Sequence, residues 1–183
     1  MYQSIRDAYV RQWGKPVEEE PPRLPPALLK DFPGLSILRF PPSRFHPVWI
    51  DATLGMGELS NAKERVPEVH IYSPERSDAV MDALSAIMES VQYEPLEYGR
   101  VFPCVRDENS EGACTHLLAC YPEAEGEGFP EVSVEGKEVQ FMRLVPITNA
   151  EVRFLEQNGY DALENRLESP DGVLYRWNRD SVV

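Results

Sequence analysis

The side chains best suited to metal or nucleophilic chemistry in this 183-residue sequence are three histidines and three cysteines. Cys104, Cys114, His116 and Cys120 read C-x9-C-x-H-x3-C. Zinc sites usually set two ligands about two to four residues apart on a tight knuckle. Here "THLLACY" reads as a strand instead, with His116 and Cys120 on one face and Cys114 at its start, so reduced thiols and no metal are expected. An odd number of cysteines also argues against a fully paired disulfide framework. His46 lies in "RFHPVW" at a loop–strand junction, while His70 and His116 fall in strands. No H-E-x-x-H pattern frames them, which favours structural roles. Ser60, Ser73 and Ser77 occur in no G-x-S-x-G elbow. Glu58 and Glu64 could pair as acid and base, but a solvated loop accounts for them equally well. No catalytic residue is assigned, and the chain is expected not to be an enzyme.

The other candidate is "VWIDATLGMGELS" (48–60), where an apolar run closes on Asp51 and two glycines follow. This stretch resembles the strand-end loop of methyltransferases that use S-adenosylmethionine. Such a loop must lead into a helix whose N-terminus faces the ligand. Between Gly57 and the next strand at Pro67 stands only "ELSNAKERVP". A parallel crossover takes about a dozen residues or more, so the spacing is too short. Ser73 also stands where a ribose-binding acid is expected. No cofactor is therefore assigned, with a methyltransferase-like enzyme kept as the alternative. Gly55 and Gly57 then serve the turn through backbone freedom.

The elements that must position these residues follow from periodicity and caps. Ile5, Tyr9 and Trp13 predict a short helix over 3–13, and the Pro-rich remainder of 1–34 predicts an extended, wrapping segment. Strands are expected at 35–40, 47–55 and 67–73, the last with Val69 and Ile71 on one face and His70 and Tyr72 on the other. Ser73-Pro74-Glu75 predicts a helix over 75–91, with Ser73 as its cap. Residues 97–104 suggest an edge strand or loop, 115–121 a buried strand, and 138–147 a strand entered by a turn at Glu135-Gly136. Thr148 and Glu151 form a capping box that opens a helix over 149–157, stopped at Gly159 and followed by a short helix bearing Tyr160, Leu163 and Leu167. Trp49 and Trp177 are expected in the core. Strands in runs rather than in alternation with helices define an α+β fold, with a mixed, mainly antiparallel β-sheet flanked by α-helices.

Net charge is −13, from 31 acidic and 18 basic residues. Such a surface repels phosphate backbones and disfavours nucleic acid, while complementary fields favour a basic protein partner. No apolar run approaches the roughly 20 residues that cross a bilayer, and the N-terminus lacks a signal-peptide core, so no membrane association and a cytoplasmic location are expected. The glycine-bearing loop with Glu123, Glu125, Glu127 and Glu131 is the candidate partner-binding surface.

A second resemblance covers more of the chain. "TLGMGEL", "PEVHIY", a helix, then "MRLVPITNAEVRFLEQNGYDALENRL" and the closing "RWNRDSVV" resemble, in order and spacing, the suppressor-of-fused domain family in its bacterial form. The resemblance spans about residues 35–183, leaving 1–34 as a separate N-terminal segment and nothing to carry over for the loops at 104–114 and 122–131. It implies a protein-binding module rather than an enzyme. The animal member holds an extended peptide of a transcription factor by strand addition, and bacterial relatives are often immunity proteins that neutralise a toxin.

Overall fold

The computed structural model describes residues 2–60, 65–104, 114–122, 129, 131–167 and 173–183. The chain divides into two compact units, one of residues 1–96 and 121–143, the other of 97–120 and 144–183.

The first unit opens with α1 (Tyr2–Trp13), whose Ile5, Ala8, Tyr9 and Trp13 form one buried stripe at helical spacing. The helix stops at Gly14, which takes φ +85 and donates its N–H to the Val10 carbonyl at 2.9 Å. Next come β1 (Glu18–Glu20), α2 (Pro26–Asp31), β2 (Ser36–Phe40), β3 (Trp49–Leu54), β4 (Arg65–Ser73) and α3 (Asp78–Ser90). The expected extended segment after α1 is thus shorter than its prolines suggested. Within it, the Arg23 backbone N–H donates to Ser85 Oγ at 2.8 Å, and its guanidinium bridges Asp78 and Asp82 one turn apart on α3. At that point β1 precedes the segment and α2 follows it.

The start of α3 corrects an expectation. Ser73 is still paired with Trp49 in the sheet, and its hydroxyl donates to the Glu75 carbonyl at 2.7 Å instead of capping a helix. The chain must leave the sheet before it can coil, so Ser77, with extended backbone, takes the N-cap position. Ala79 is exposed, and Val80, Met81, Leu84, Ser85, Ile87 and Met88 make the buried face.

Downstream lie β5 (Val101–Pro103), β6 (Cys114–Cys120), β7 (Ser133–Val134), β8 (Lys137–Thr148), α4 (Asn149–Asn158) and α5 (Tyr160–Leu167). Strands pair in the order β1-β2-β3-β4-β8-β6-β5, with β7 on β8. The β1–β2, β2–β3, β3–β4, β5–β6 and β7–β8 pairs are antiparallel. The architecture is the expected α+β one, a mixed and mainly antiparallel sheet with helices. Glu135 (φ 52) and Gly136 (φ 80) form the tight link between β7 and β8, two consecutive left-handed residues that match the twist of a hairpin. As an interior strand, β4 is buried along most of its length, so its two faces do not divide into wet and dry.

Each unit has its own core. In the first, Tyr9 stacks on Trp13 at 5.1 Å between ring centroids and meets Phe141 edge-on at 5.3 Å, among Leu38, Phe40 and Ile50. In the second, Leu118, Val145, Ile147, Leu163 and Leu167 pack together under α4 and α5.

Candidate functional site

The glycine loop singled out by sequence is an amide cradle, and a side chain of the same unit fills it. Gly55 takes φ +90 and leads into a single 3-10 turn at Met56–Glu58. Glu68, wholly buried on β4, accepts from the Thr53 hydroxyl at 2.7 Å and from the Gly55 amide at 2.8 Å. Amides of Met56 and Gly57 also donate to it. Burial pushes the Glu68 carboxyl up to about 8, against the pull of those donors. In a cofactor loop such amides face a ligand; here they face Glu68.

The space over the loop is filled as well. A Cβ on Gly55 would sit 2.1 Å from a Tyr2 ring carbon, and one on Gly34 would sit 2.3 Å from the same ring. Tyr2 therefore lies between two glycine backbones, and its hydroxyl donates to Glu58 Oε2 at 2.5 Å. Burial and that carboxylate raise the phenol above its ordinary range. Glu58 is thus bound to a tyrosine, while Glu64, its expected partner, lies outside the described residues. Gly57 corrects another expectation: its φ is not in the left-handed region, and close approach requires it, with Val66 Cγ1 2.4 Å from where a Cβ would be.

Two further ion pairs are buried among the described residues. Arg39 Nε donates to Asp51 Oδ1 at 2.6 Å between β2 and β3, and Arg39 Nη1 reaches Glu18 at 3.1 Å. Burial raises the Asp51 carboxyl despite the Arg39 charge. In the second unit, Thr148 and Glu151 form the expected capping box, with Glu151 N–H to Thr148 Oγ1 at 3.2 Å and Thr148 N–H to Glu151 Oε2 at 2.7 Å. Sequence reading gave Glu151 that role alone. It is also gripped by Arg179 at 2.7 and 3.0 Å and by the Val182 amide at 2.9 Å. Burial raises its carboxyl, but Arg179 and the Thr148 and Val182 amides outweigh this and hold it below the usual range.

The remaining candidates are dispersed. His70 is buried in the aromatic cluster, 5.0 Å from the Trp13 ring and 5.2 Å from Phe129. His116 contacts Thr115 Oγ1 at 2.9 Å through Nδ1, and the backbone carbonyl of His46 accepts from Ser43 N–H. Trp49 and Trp177 are half-buried rather than core. Cys104 is half-buried, and Cys114 and Cys120 are buried. Among the described residues no group of three His, Cys, Asp or Glu side chains could hold a metal ion. Of the acidic loop, Glu131 is exposed, and Glu123, Glu125 and Glu127 lie outside the described residues. No helix among the described residues is long and apolar enough to cross a membrane.

Glu68 and Arg179 were missed as sequence candidates. The available signals were an acid inside the apolar strand "PEVHIYS" and an arginine in the closing "RWNRDSVV".

Among the described residues, the buried carboxylates of this α+β scaffold are bound by groups of their own chain. The chain belongs to the suppressor of fused (SUFU) family, whose model matches residues 32–178. Its fold is similar to a suppressor-of-fused homologue from Neisseria gonorrhoeae, with TM-score 0.78 and 19% identity over 100% of this chain and 96% of that one. It is also similar to a chain of the Sufu–Fu complex (TM-score 0.71, 16% identity, 99% of this chain and 91% of that one). Suppressor of Fused from Drosophila matches with TM-score 0.70 and 15% identity over 99% of this chain, which spans 50% of that protein's chain. At these identities the likeness shows the fold. No curated protein matches the sequence.

Proposed function

We propose that this protein is a protein-binding module of the suppressor-of-fused type, and specifically an immunity protein that neutralises a basic toxin domain by direct binding. One observation carries the reading: Glu68, Asp51 and Glu151, the buried carboxylates among the described residues, are all bound by groups of their own unit. Interior charge thus maintains the framework, and the exposed surface is what remains for function. A family relative has been solved as a complex with another protein, the Sufu–Fu complex, which supports binding as the activity.

The net charge of −13 makes a basic partner the natural complement. Contact through sheet edges and the 122–131 acidic loop, including Glu123, Glu125, Glu127 and Glu131, is the proposed mode, with the 35–183 segment as the recognition domain and the cytoplasm as the location. Occlusion of the toxin's working surface is sufficient for neutralisation.

The test is co-expression with the product of the neighbouring reading frame. Rescue from a toxic neighbour, with a complex that survives purification at low salt and weakens as salt rises, is the expected result. A toxic neighbour that is not rescued overturns the immunity reading. A complex with a non-toxic metabolic protein favours a housekeeping adaptor instead.

A further inference from the structure

Strand β1 is unlike every other strand of the sheet in what holds it there. All three of its residues are glutamates, a residue depleted in strands, and none is buried. It lies at one end of the strand order, on β2, with Glu18 opposite Arg39 and Glu20 opposite Ile37. Its side chains make ion pairs and a hydrogen bond. Glu18 meets Arg39 at 3.1 Å and Arg76 at 3.0 Å; Glu19 meets Arg6 at 2.5 Å and Ser36 Oγ at 3.0 Å.

The ground beneath this strand is basic. The Arg39 side chain is 3% exposed, with the buried Asp51 behind it and Glu18 in front. Neither its Nη2 nor the Oδ2 of Asp51 makes a hydrogen bond among the described residues. The ends of the strand are suited to release: Gly14 and Pro16 precede it, and Pro21-Pro22 follow it. A short acidic strand on an arginine-lined edge is a ligand in form, supplied by the chain itself.

We propose that the outer edge of β2, with Arg39 and Arg76 beside it, is a docking edge for an acidic extended segment of a partner protein, and that Glu18–Glu20 is its resident occupant. Backbone pairing supplies register and the arginines supply selection for acid. The resident strand competes as a tethered ligand at an effective concentration of about millimolar, so the edge opens only to a segment that outbids it. The Glu19–Arg6 and Glu18–Arg76 pairs are partly exposed, individually weak and screened by salt, while in the Glu18–Arg39 pair the arginine is buried. The partner inferred here is acidic, whereas the proposed toxin is basic, so the inference stands whether or not that toxin exists.

The test uses the full chain and a capped peptide of residues 16–22, PVEEEPP, as probe. A Glu18→Gln, Glu19→Gln, Glu20→Gln triple variant weakens the resident strand and keeps its size. Fluorescence anisotropy at low salt should show this variant binding the peptide at least tenfold more tightly than the wild type, with no binding of the peptide carrying lysines in place of glutamates. Hydrogen exchange should show bound peptide restoring protection at 36–40. Failure of the variant to bind the acidic peptide, equal binding of the lysine peptide, or self-association of the variant in place of binding overturns the proposal. Should the variant not fold, the wild type decides: amides 17–20 should exchange well before global unfolding and faster as salt rises. Exchange of those amides only with the whole unit overturns it.

Discussion

Arg179 and Glu151, 28 residues apart, close a two-pronged ion pair with both side chains almost completely buried, at 2.7 and 3.0 Å. Arg179 Nη2 also donates to the Pro146 carbonyl at 2.8 Å, so a chain end without secondary structure is tied to the start of α4. Removing one partner leaves a charge buried without its complement, which costs about 3–5 kcal/mol. Arg179→Met should lower stability by about that amount in urea denaturation. A loss under about 1 kcal/mol would show that the tail detaches without consequence.

The capping box at the same place gives a smaller effect. Thr148→Ala removes the acceptor for the Glu151 amide and should cost about 1 kcal/mol of stability. Thermal melting reads it, and an unchanged midpoint would place the helix start elsewhere.

Stability should depend on pH through carboxyls acting in opposite directions, Glu151 and Glu68 among them. Glu151 is held below its unfolded value of 4.5, so its contribution is present above that pH and is lost as pH falls through the lower folded value. Glu68 is raised from 4.5 to about 8, so the folded state binds the extra proton and stability falls as pH rises from 4.5 to 8. The Glu68 contribution is on the order of a few kcal/mol across that window. Denaturation at pH 5 to 9 should show the fall, and Glu68→Gln should flatten it even where it lowers stability overall. Parallel profiles for variant and wild type would assign the dependence to other groups.

Tyr2 and Gly55 should be energetically coupled. Gly55→Ala brings a Cβ within 2.1 Å of the Tyr2 ring at a φ of +90, and should cost about 1–3 kcal/mol or more. Adding Tyr2→Ala removes the clash but not the backbone strain. The double variant should therefore be less destabilised than the sum of the two single changes. Strict additivity would mean that the ring does not occupy the slot between Gly34 and Gly55.

Because the loop amides are engaged by Glu68, the protein should bind neither S-adenosylmethionine nor a dinucleotide. Micromolar affinity for either by isothermal titration would revive the methyltransferase alternative.

Features closed over three or four residues were legible in the sequence. The Thr148–Glu151 box, the stop at Gly159, the Glu135-Gly136 turn and the buried stripe of α1 depend on hydrogen bonds and periodicities that a short window contains whole. Strand runs, with their alternation and their turn residues, were sufficient for the α+β class. Partnerships across long sequence separations were not legible. Nothing local to "PEVHIYS" reveals that the sheet places Glu68 under the amides of a loop 13 residues earlier. Ser73 reads as a helix cap because nothing local reveals its pairing with Trp49 in the sheet. The acids of β1 stand in a Pro-rich stretch, and only the register with β2 sets Glu18 against Arg39. Local rules determined which elements form; the sheet decided which charges are buried, because only tertiary packing excludes water and brings an arginine or an amide to a distant carboxylate.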